Sequence, residues 1–471
     1  MSMTCTPTLR CQFPVLLTFL QGSLIVVFLL FVRYDDHSSS TFVSNLTATE
    51  ENNLYTIFPL FKDVNIMLFV GLGLMLSFFK LYGFGGIALN FLLANFSIQW
   101  SIVVQGFLYH YRDGKIHLGL ENVLSAEFAA VTALISAGAI LGRTSPVQLI
   151  LLSILEIPLF VLNDWLINTY FHIVDVGGTV AIHIFSCYFG LGVSQIMYRP
   201  ALKTRHPKEE TTPSSDLLSL LGTIFLWIFW PSFNSVLATK GNAQHRAVLN
   251  TFLSLSSSTL TSFALSSLLD KKGRISLVHL QNATLAGGVA VGITADMMIT
   301  PAGAFGLGCL ASFSCILGFK YLSPFLAKKL KVQDQCGIHN LHGLPGIIGT
   351  IGSIVAILFG PHDIYGSGLH ELLIQNDVQD GRNALGNLDH TAPYSATNQA
   401  LCQAAAFAVT FGISLFGGYL TGFFLKLPCL VKLPDELCFD DQPYFQIPGD
   451  CDDKVITNNR EREVLYPLKL V

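Results

Sequence analysis

The sequence predicts an all-α polytopic membrane protein of about 12 transmembrane helices, built as two inverted five-helix repeats plus an extra N-terminal and a C-terminal helix. Three observations carry this. The 471-residue chain is 51% hydrophobic and only 12% charged, with mean hydropathy +0.54, which is far too apolar for a soluble protein of this size. Its apolar residues fall into runs long enough to cross a hydrocarbon core ~30 Å thick. A short phrase also occurs twice, as Asp175-Val-Gly-Gly-Thr-Val-Ala-Ile-His183 and as Asp334-Gln-Cys-Gly-Ile-His-Asn-Leu-His342, each with an Asp eight residues before a His.

The first apolar run, Phe13 to Val32, is longer than the apolar core of a secretory signal and lacks a small-residue cleavage site. It reads as an uncleaved signal anchor and the first helix. Hydropathy in windows of about 19 residues places further spans near 65–83, 86–108, 122–142, 145–163, 174–198, 216–239, 247–269, 277–299, 302–323, 335–360 and 398–425. The Gly-rich stretch 277–323 is the hardest to divide. These spans place a membrane domain at residues 1–425 and a cytoplasmic tail at 426–471. The loop 361–397 is polar and the tail is acidic with several prolines, and neither reads as a separate folded domain.

Basic residues orient the chain. Arg199, Lys203, Arg205 and Lys208 share one loop, Lys271, Lys272 and Arg274 another, and Lys328, Lys329 and Lys331 a third. With twelve helices all three loops fall on one side, which the positive-inside rule makes cytoplasmic, with both termini. The sequon Asn45-Leu-Thr47 then lies in the first outside loop, 33–61, open to glycosylation. Two more sequons, at Asn95 and Asn282, fall inside spans and read as chance matches. Of ten cysteines, Cys187, Cys309, Cys315, Cys336 and Cys402 lie in or beside spans, and Cys5, Cys11, Cys429, Cys438 and Cys451 lie toward the termini. None falls in an outside loop, so no disulfide framework is expected. Net charge is −4 with no basic stripe, so nucleic acid is not an expected partner. In the tail, Tyr444-Phe-Gln-Ile447 resembles a tyrosine sorting signal, which points to sorting or cytoskeletal partners. Gly418-Tyr-Leu-Thr-Gly422 in the last span is a small-xxx-small face suited to close helix packing.

In this topology the span led by Asp175 starts outside and the span led by Asp334 starts inside. Each Asp can cap its helix near a membrane surface while its His lies ~12 Å deeper, at ~1.5 Å per residue. The two histidines therefore meet near the midplane, where a polar group is costly and usually functional. His339 is three residues from His342 but offset around the helix, and is left to packing. His339-Asn-Leu-His342 is only half of a metal site. No HExxH-type motif and no GxxxxGK[ST] loop occurs, so the sequence suggests no metal, no cofactor and no ATP-driven enzyme.

Four phrases, Asp175-Val-Gly-Gly…Ile-His183, Trp230-Pro-Ser-Phe-Asn-Ser235, Asn282-Ala-Thr-Leu-Ala-Gly-Gly-Val-Ala-Val-Gly292 and His339-Asn-Leu-His-Gly-Leu-Pro-Gly346, together resemble the Rhesus (Rh) glycoproteins, the animal branch of the ammonium transporter family. The resemblance runs from the first helix through the last span. It implies a homotrimer in the plasma membrane, each subunit having a pore for ammonia lined by twin histidines, here His183 and His342, and closed outside by two phenylalanines, here Phe128 and Phe233. Asp164 matches a vestibule acid of the family, and Glu127, also near the outside face, can concentrate ammonium beside it. Asp175 and Asp334 are expected to cap helices and shape the pore ends.

These residue types suit the chemistry. A charge at the bilayer centre costs at least ~2.5–3.5 kcal/mol, which ammonium carries and neutral ammonia avoids. Stacked phenyl rings exclude water while attracting a waiting cation, and paired imidazoles can share one hydrogen bond and still engage a passing molecule. Two other roles stay open on the same sequence: a scaffold subunit that conducts nothing, and a pore for carbon dioxide.

Overall fold

A computed structural model of the chain describes residues 7–38, 54–202, 206–359, 396–430 and 432–447. The sequon at Asn45 and most of the polar loop 361–397 lie outside the described residues. We label the helices α1 (Pro7–Phe31), α2 (Leu54–Met75), α3 (Gly85–Tyr109), α4 (Leu120–Gly138), α5 (Pro146–Thr169), α6 (Thr179–Ile196), α7 (Pro213–Ser235), α8 (Asn242–Leu269), the broken α9 (277–294), α10 (Thr300–Leu330), α11 (His339–Phe359) and α12 (Ala396–Leu425). Among the described residues, the eleven that are continuous are long and apolar enough to cross a membrane.

Local chemistry explains where the helices begin. At α5 the Ser145 hydroxyl accepts from the Gln148 amide while the Gln148 side chain accepts from the Ser145 amide, with Pro146 at the first helical position. Thr212, Pro213 and Ser215 open α7 in the same way.

Three expectations need correction. The span expected at 65–83 is a helix from Leu54 to Met75. The charges that hid its first turns are satisfied in the fold: Lys62 lies over the Phe58 ring at 5.4 Å, and Asp63 accepts from the Ser232 hydroxyl, 169 residues away, at 2.6 Å. The span expected at 277–299 is broken between Ala283 and Ala286. There the close contacts of Gly287 with the Ser254 carbonyl and of Gly288 with the Trp230 ring leave no space for side chains, so packing outweighs helical continuity. A small sheet accompanies the helices. Val32–Tyr34, Tyr111–Arg112 and Lys115–Leu118 form it, with Asp113 and Gly114 at positive φ in its hairpin turn.

The last correction concerns the tail, whose first part is packed against the membrane unit. Leu433, Cys438 and Phe439 are buried, the Phe439 amide donates to the Gly142 carbonyl at 2.8 Å, and the Asp441 carboxylate accepts from the amides of Gly85 and Phe84 at 2.6 and 2.8 Å. Arg199 binds Asp435 at 2.9 Å and Lys208 binds Asp440 at 2.6 Å. Tyr444 has its hydroxyl buried in this segment, so Tyr444-Phe-Gln-Ile447 is not presented as an accessible sorting peptide.

Two crossings position the site. Helices α6 and α11 run antiparallel: Gly343 packs on Cys187 and Gly346 on Ile184, so numbers rise along one helix as they fall along the other. The Gly418–Gly422 face of α12 packs on α6, Gly418 against the Phe189 backbone and Gly422 against Ile196.

Candidate functional site

Each histidine sits in a π-helical turn, Thr179–Ile184 for His183 and His339–Gly343 for His342. Such turns are uncommon and occur often at functional sites. Both turns are prepared in the same way. Three residues after each Asp comes a glycine in the left-handed region, Gly178 at φ 67° and Gly337 at φ 72°, a conformation in which other residues are strained. That reversal brings the carboxylate back over the free amides of the first turn. Asp175 accepts from Thr179, Val180 and Ala181 at 2.7, 2.8 and 2.8 Å, and Asp334 from Ile338 and His339 at 3.0 and 2.9 Å.

The antiparallel crossing then brings the imidazoles together. Their Nδ1 atoms are 3.1 Å apart and their centroids 5.0 Å, with planes 18° from parallel, and His183 and His342 are 2% and 6% exposed. Two Nδ1 atoms at this distance share one proton, so one ring donates and the other accepts. The Nε2 of the donor ring is then a free acceptor, and that of the other ring carries a hydrogen. Among the described residues, His183 Nε2 is buried with no partner.

An apolar cavity of about 50 Å³ adjoins the pair. Both histidines, Phe233, Trp230, Asn282 and Cys336 line it, with aliphatic side chains from α2, α4 and α11. Phe128 and Phe233 meet toward the Asp175 end: Gly177 packs on Asn234, next to Phe233, whereas Gly138, ten residues beyond Phe128, packs on Cys336 and Ile338 near Asp334. Their centroids are 4.8 Å apart at 70°, so the rings are edge to face and not stacked as expected. The positive edge of one ring on the negative face of the other favours that arrangement. Phe233 is 6.1 Å and Trp230 5.9 Å from His183, Trp230 nearly parallel to it.

The expected vestibule acids behave differently. Asp164 is half-buried, accepts from Tyr109 Oη at 3.3 Å and Asn168 Nδ2 at 2.8 Å, and lies close enough to Asp175 for the charges to repel. Glu127 is only 1% exposed, two turns inside α4 against the Asn65 side chain. It opens on no vestibule in this chain, which corrects the expectation: burial withholds its charge from solvent. His339 packs edge-on to Tyr188 at 5.9 Å and does not line the cavity.

Three cavity residues were not singled out from the sequence. Trp230 and Asn282 stood in the quoted phrases, but no periodicity marked them as facing the histidines. Asn282 donates to the Val278 carbonyl at 2.9 Å, and its Oδ1 is buried with no partner among the described residues. Cys336 follows Asp334 and was read only for disulfides.

The Ammonium Transporter Family profile matches residues 23–438. The chain belongs to that family. It is 44% identical over 446 residues to Ammonium transporter Rh type B of Xenopus tropicalis, covering 94% of each chain, and 43% identical to the protein of that name in Danio rerio, covering 94% and 95%. Among solved structures it resembles Rh50 of Nitrosomonas europaea, described as one of the Rhesus protein family of channels, at TM-score 0.71 and 30% identity over 86% of this chain and 95% of that one. Saccharomyces cerevisiae Mep2, at TM-score 0.64 and 18% identity over 87% and 96%, shares the fold.

Proposed function

We propose that this protein conducts ammonia across the plasma membrane, through the cavity lined by His183, His342 and Phe233, with one such path in each subunit of a homotrimer. Both termini are cytoplasmic in this reading, and Asn45 carries glycan outside. The observation that carries it is the buried histidine pair: two polar rings held 3.1 Å apart inside an apolar cavity, with His183 Nε2 unpartnered. Burial of such a group without a partner is costly unless a ligand supplies one.

Ammonium gathers by Asp164, gives up its proton to outside water near the Phe128–Phe233 pair, crosses as ammonia, and takes a proton from water on the inner side. Ammonia offers both N–H donors and a lone pair, so it can engage whichever Nε2 the shared proton leaves as acceptor or donor. The aromatic pair and aliphatic walls disfavour the charged form by at least ~2.5–3.5 kcal/mol at the membrane centre. The Rh type B names of the relatives support this substrate, and the Rh50 likeness supports a channel.

The test is ammonia flux into proteoliposomes, recording internal pH and membrane current together, for wild type and for His183→Ala with His342→Ala. Alkalinisation without current, lost or altered in the double variant, supports the reading. Wild-type flux no faster than empty liposomes, with the assembly intact, would leave a scaffold in its place.

A further inference from the structure

Behind the histidine pair lies a carboxyl group that the proposed path does not use. Glu156 is on α5, ten residues from its first residue and thirteen from its last, which is mid-membrane depth. It is fully buried and lines no part of the cavity. Its Oε1 is 2.6 Å from the Ser136 hydroxyl of α4, and that hydroxyl is 2.9 Å from the Ser186 carbonyl of α6. Glu156 Oε2 is buried with no partner among the described residues.

Proton accounting decides the state of this chain of atoms. A serine hydroxyl carries one proton, and a carbonyl can only accept. The Ser136 proton therefore satisfies either Ser186 or an ionised Glu156, but not both. If Glu156 is a neutral acid, its O–H donates to Ser136, Ser136 donates to the Ser186 carbonyl, and every donor is used once. An ionised carboxylate would instead leave Oε2 charged and bare in the membrane interior, the costliest arrangement available.

The same link joins α5, which is absent from the cavity wall, to two helices that form it. On α4, Ser136 is flanked by the cavity residues Ile135 and Gly138. On α6, Ser186 is three residues after His183, just past the end of the π-helical turn, and its own hydroxyl donates to the Ile182 carbonyl at 2.7 Å. Gly190 lets α4 approach there: a Cβ on it would lie 2.8 Å from Ser136 Cα.

We propose that Glu156 is a neutral hydrogen-bond donor that, through Ser136 and Ser186, positions the His183 turn in the cavity. It is a positioning residue and touches no substrate. The inference concerns conduction and rests on the proposed function, but its first test does not. The infrared difference spectrum of wild type minus Glu156→Gln at neutral pH should contain a deuterium-sensitive carboxylic-acid C=O band. Carboxylate bands in its place overturn the proposal, whether or not the protein conducts. In flux measurements Glu156→Gln, which keeps an N–H donor, should remain within about twofold of wild type, whereas Glu156→Ala should fall roughly tenfold. Ser136→Ala breaks the link while leaving the acid in place and should fall similarly, so it decides the matter if Glu156→Ala fails to fold. Wild-type flux in both alanine variants, or equal loss in Gln and Ala, removes the positioning role. An acid band in a protein that conducts nothing would leave the donor intact and sink only the transport reading.

Discussion

The Asp175–His183 and Asp334–His342 turns begin alike and end in different surroundings. Each has an aspartate cap, a left-handed glycine three residues on, and a π-helical turn that delivers an imidazole to the partner ring. Around Asp175 the neighbours are aromatic and acidic: Phe233 and Trp230 face His183, and Asp164 stands nearby. Around Asp334 they are basic and amide-rich. Arg143 is buried there and binds the Gln333 side chain and carbonyl at 2.6 and 2.8 Å, and the tail packs on the adjoining loop through Phe439. The repeat thus supplies one way of carrying a buried histidine, and the residues outside it make one end aromatic and acidic and the other a dock for the tail.

The largest expected effect comes from removing the caps, and it tests whether the two ends are equivalent. Asp175→Ala strands three amides bonded at 2.7–2.8 Å, whereas Asp334→Ala strands two at 2.9–3.0 Å and the weaker contact of Gly337. At about 1 kcal/mol or more per stranded group, Asp175→Ala should destabilise by at least about 3 kcal/mol and Asp334→Ala by about 2. Thermal unfolding in detergent measures both, and a larger loss from Asp334→Ala would reverse the ranking.

Next comes the aromatic end. Phe128→Ala removes an edge-to-face pair worth about 0.5–1.5 kcal/mol beyond its buried area and opens the way above Phe233. Membrane current should then accompany ammonia flux, while a small thiol reagent acting on Cys336, at the other end of the cavity, should slow flux without adding current. Current appearing equally in both experiments would mean that the aromatic pair is not the charge barrier.

The smallest effect is a pH dependence at Asp334. Burial pushes its carboxyl above the usual aspartate range despite bonds from His339 and Ile338 and the nearby Arg143 charge. The fold therefore favours the protonated form. The resulting stability is complete below the ordinary value of about 4 and is lost as pH rises through the raised folded value. The unfolding temperature of wild type relative to Asp334→Asn should fall as pH rises above about 4. A flat difference would mean that the cap bonds offset burial fully.

Much of this was legible in the chain. The Asp-x-x-Gly reversal and the eight-residue step to His follow from local rules of capping and rise, and hydropathy located every continuous span, though it began α2 eleven residues late and ended α5 and α10 six and seven residues early. What escaped was what depends on neighbours distant in sequence. Lys62 and Asp63 looked like the limit of a span because Phe58 and Ser232 are invisible to hydropathy. Glu127 sits early in its helix, as a vestibule acid would, but Asn65 covers it. The tail motif at Tyr444 resembles a sorting signal in sequence, but nothing near it in sequence shows the surface on which Phe439 and Asp441 dock.

The sequence by itself determined the membrane class, the repeated histidine turn and its depth, since each depends on spacing along one helix. Only the tertiary structure decided that the two Nδ1 atoms share a proton, that the phenyl rings meet edge to face, that α9 breaks, and that Glu156 has Ser136 for its partner. Those are contacts between segments up to 159 residues apart, as for His183 and His342. Local propensity carries no information about which distant surface will satisfy a buried polar atom.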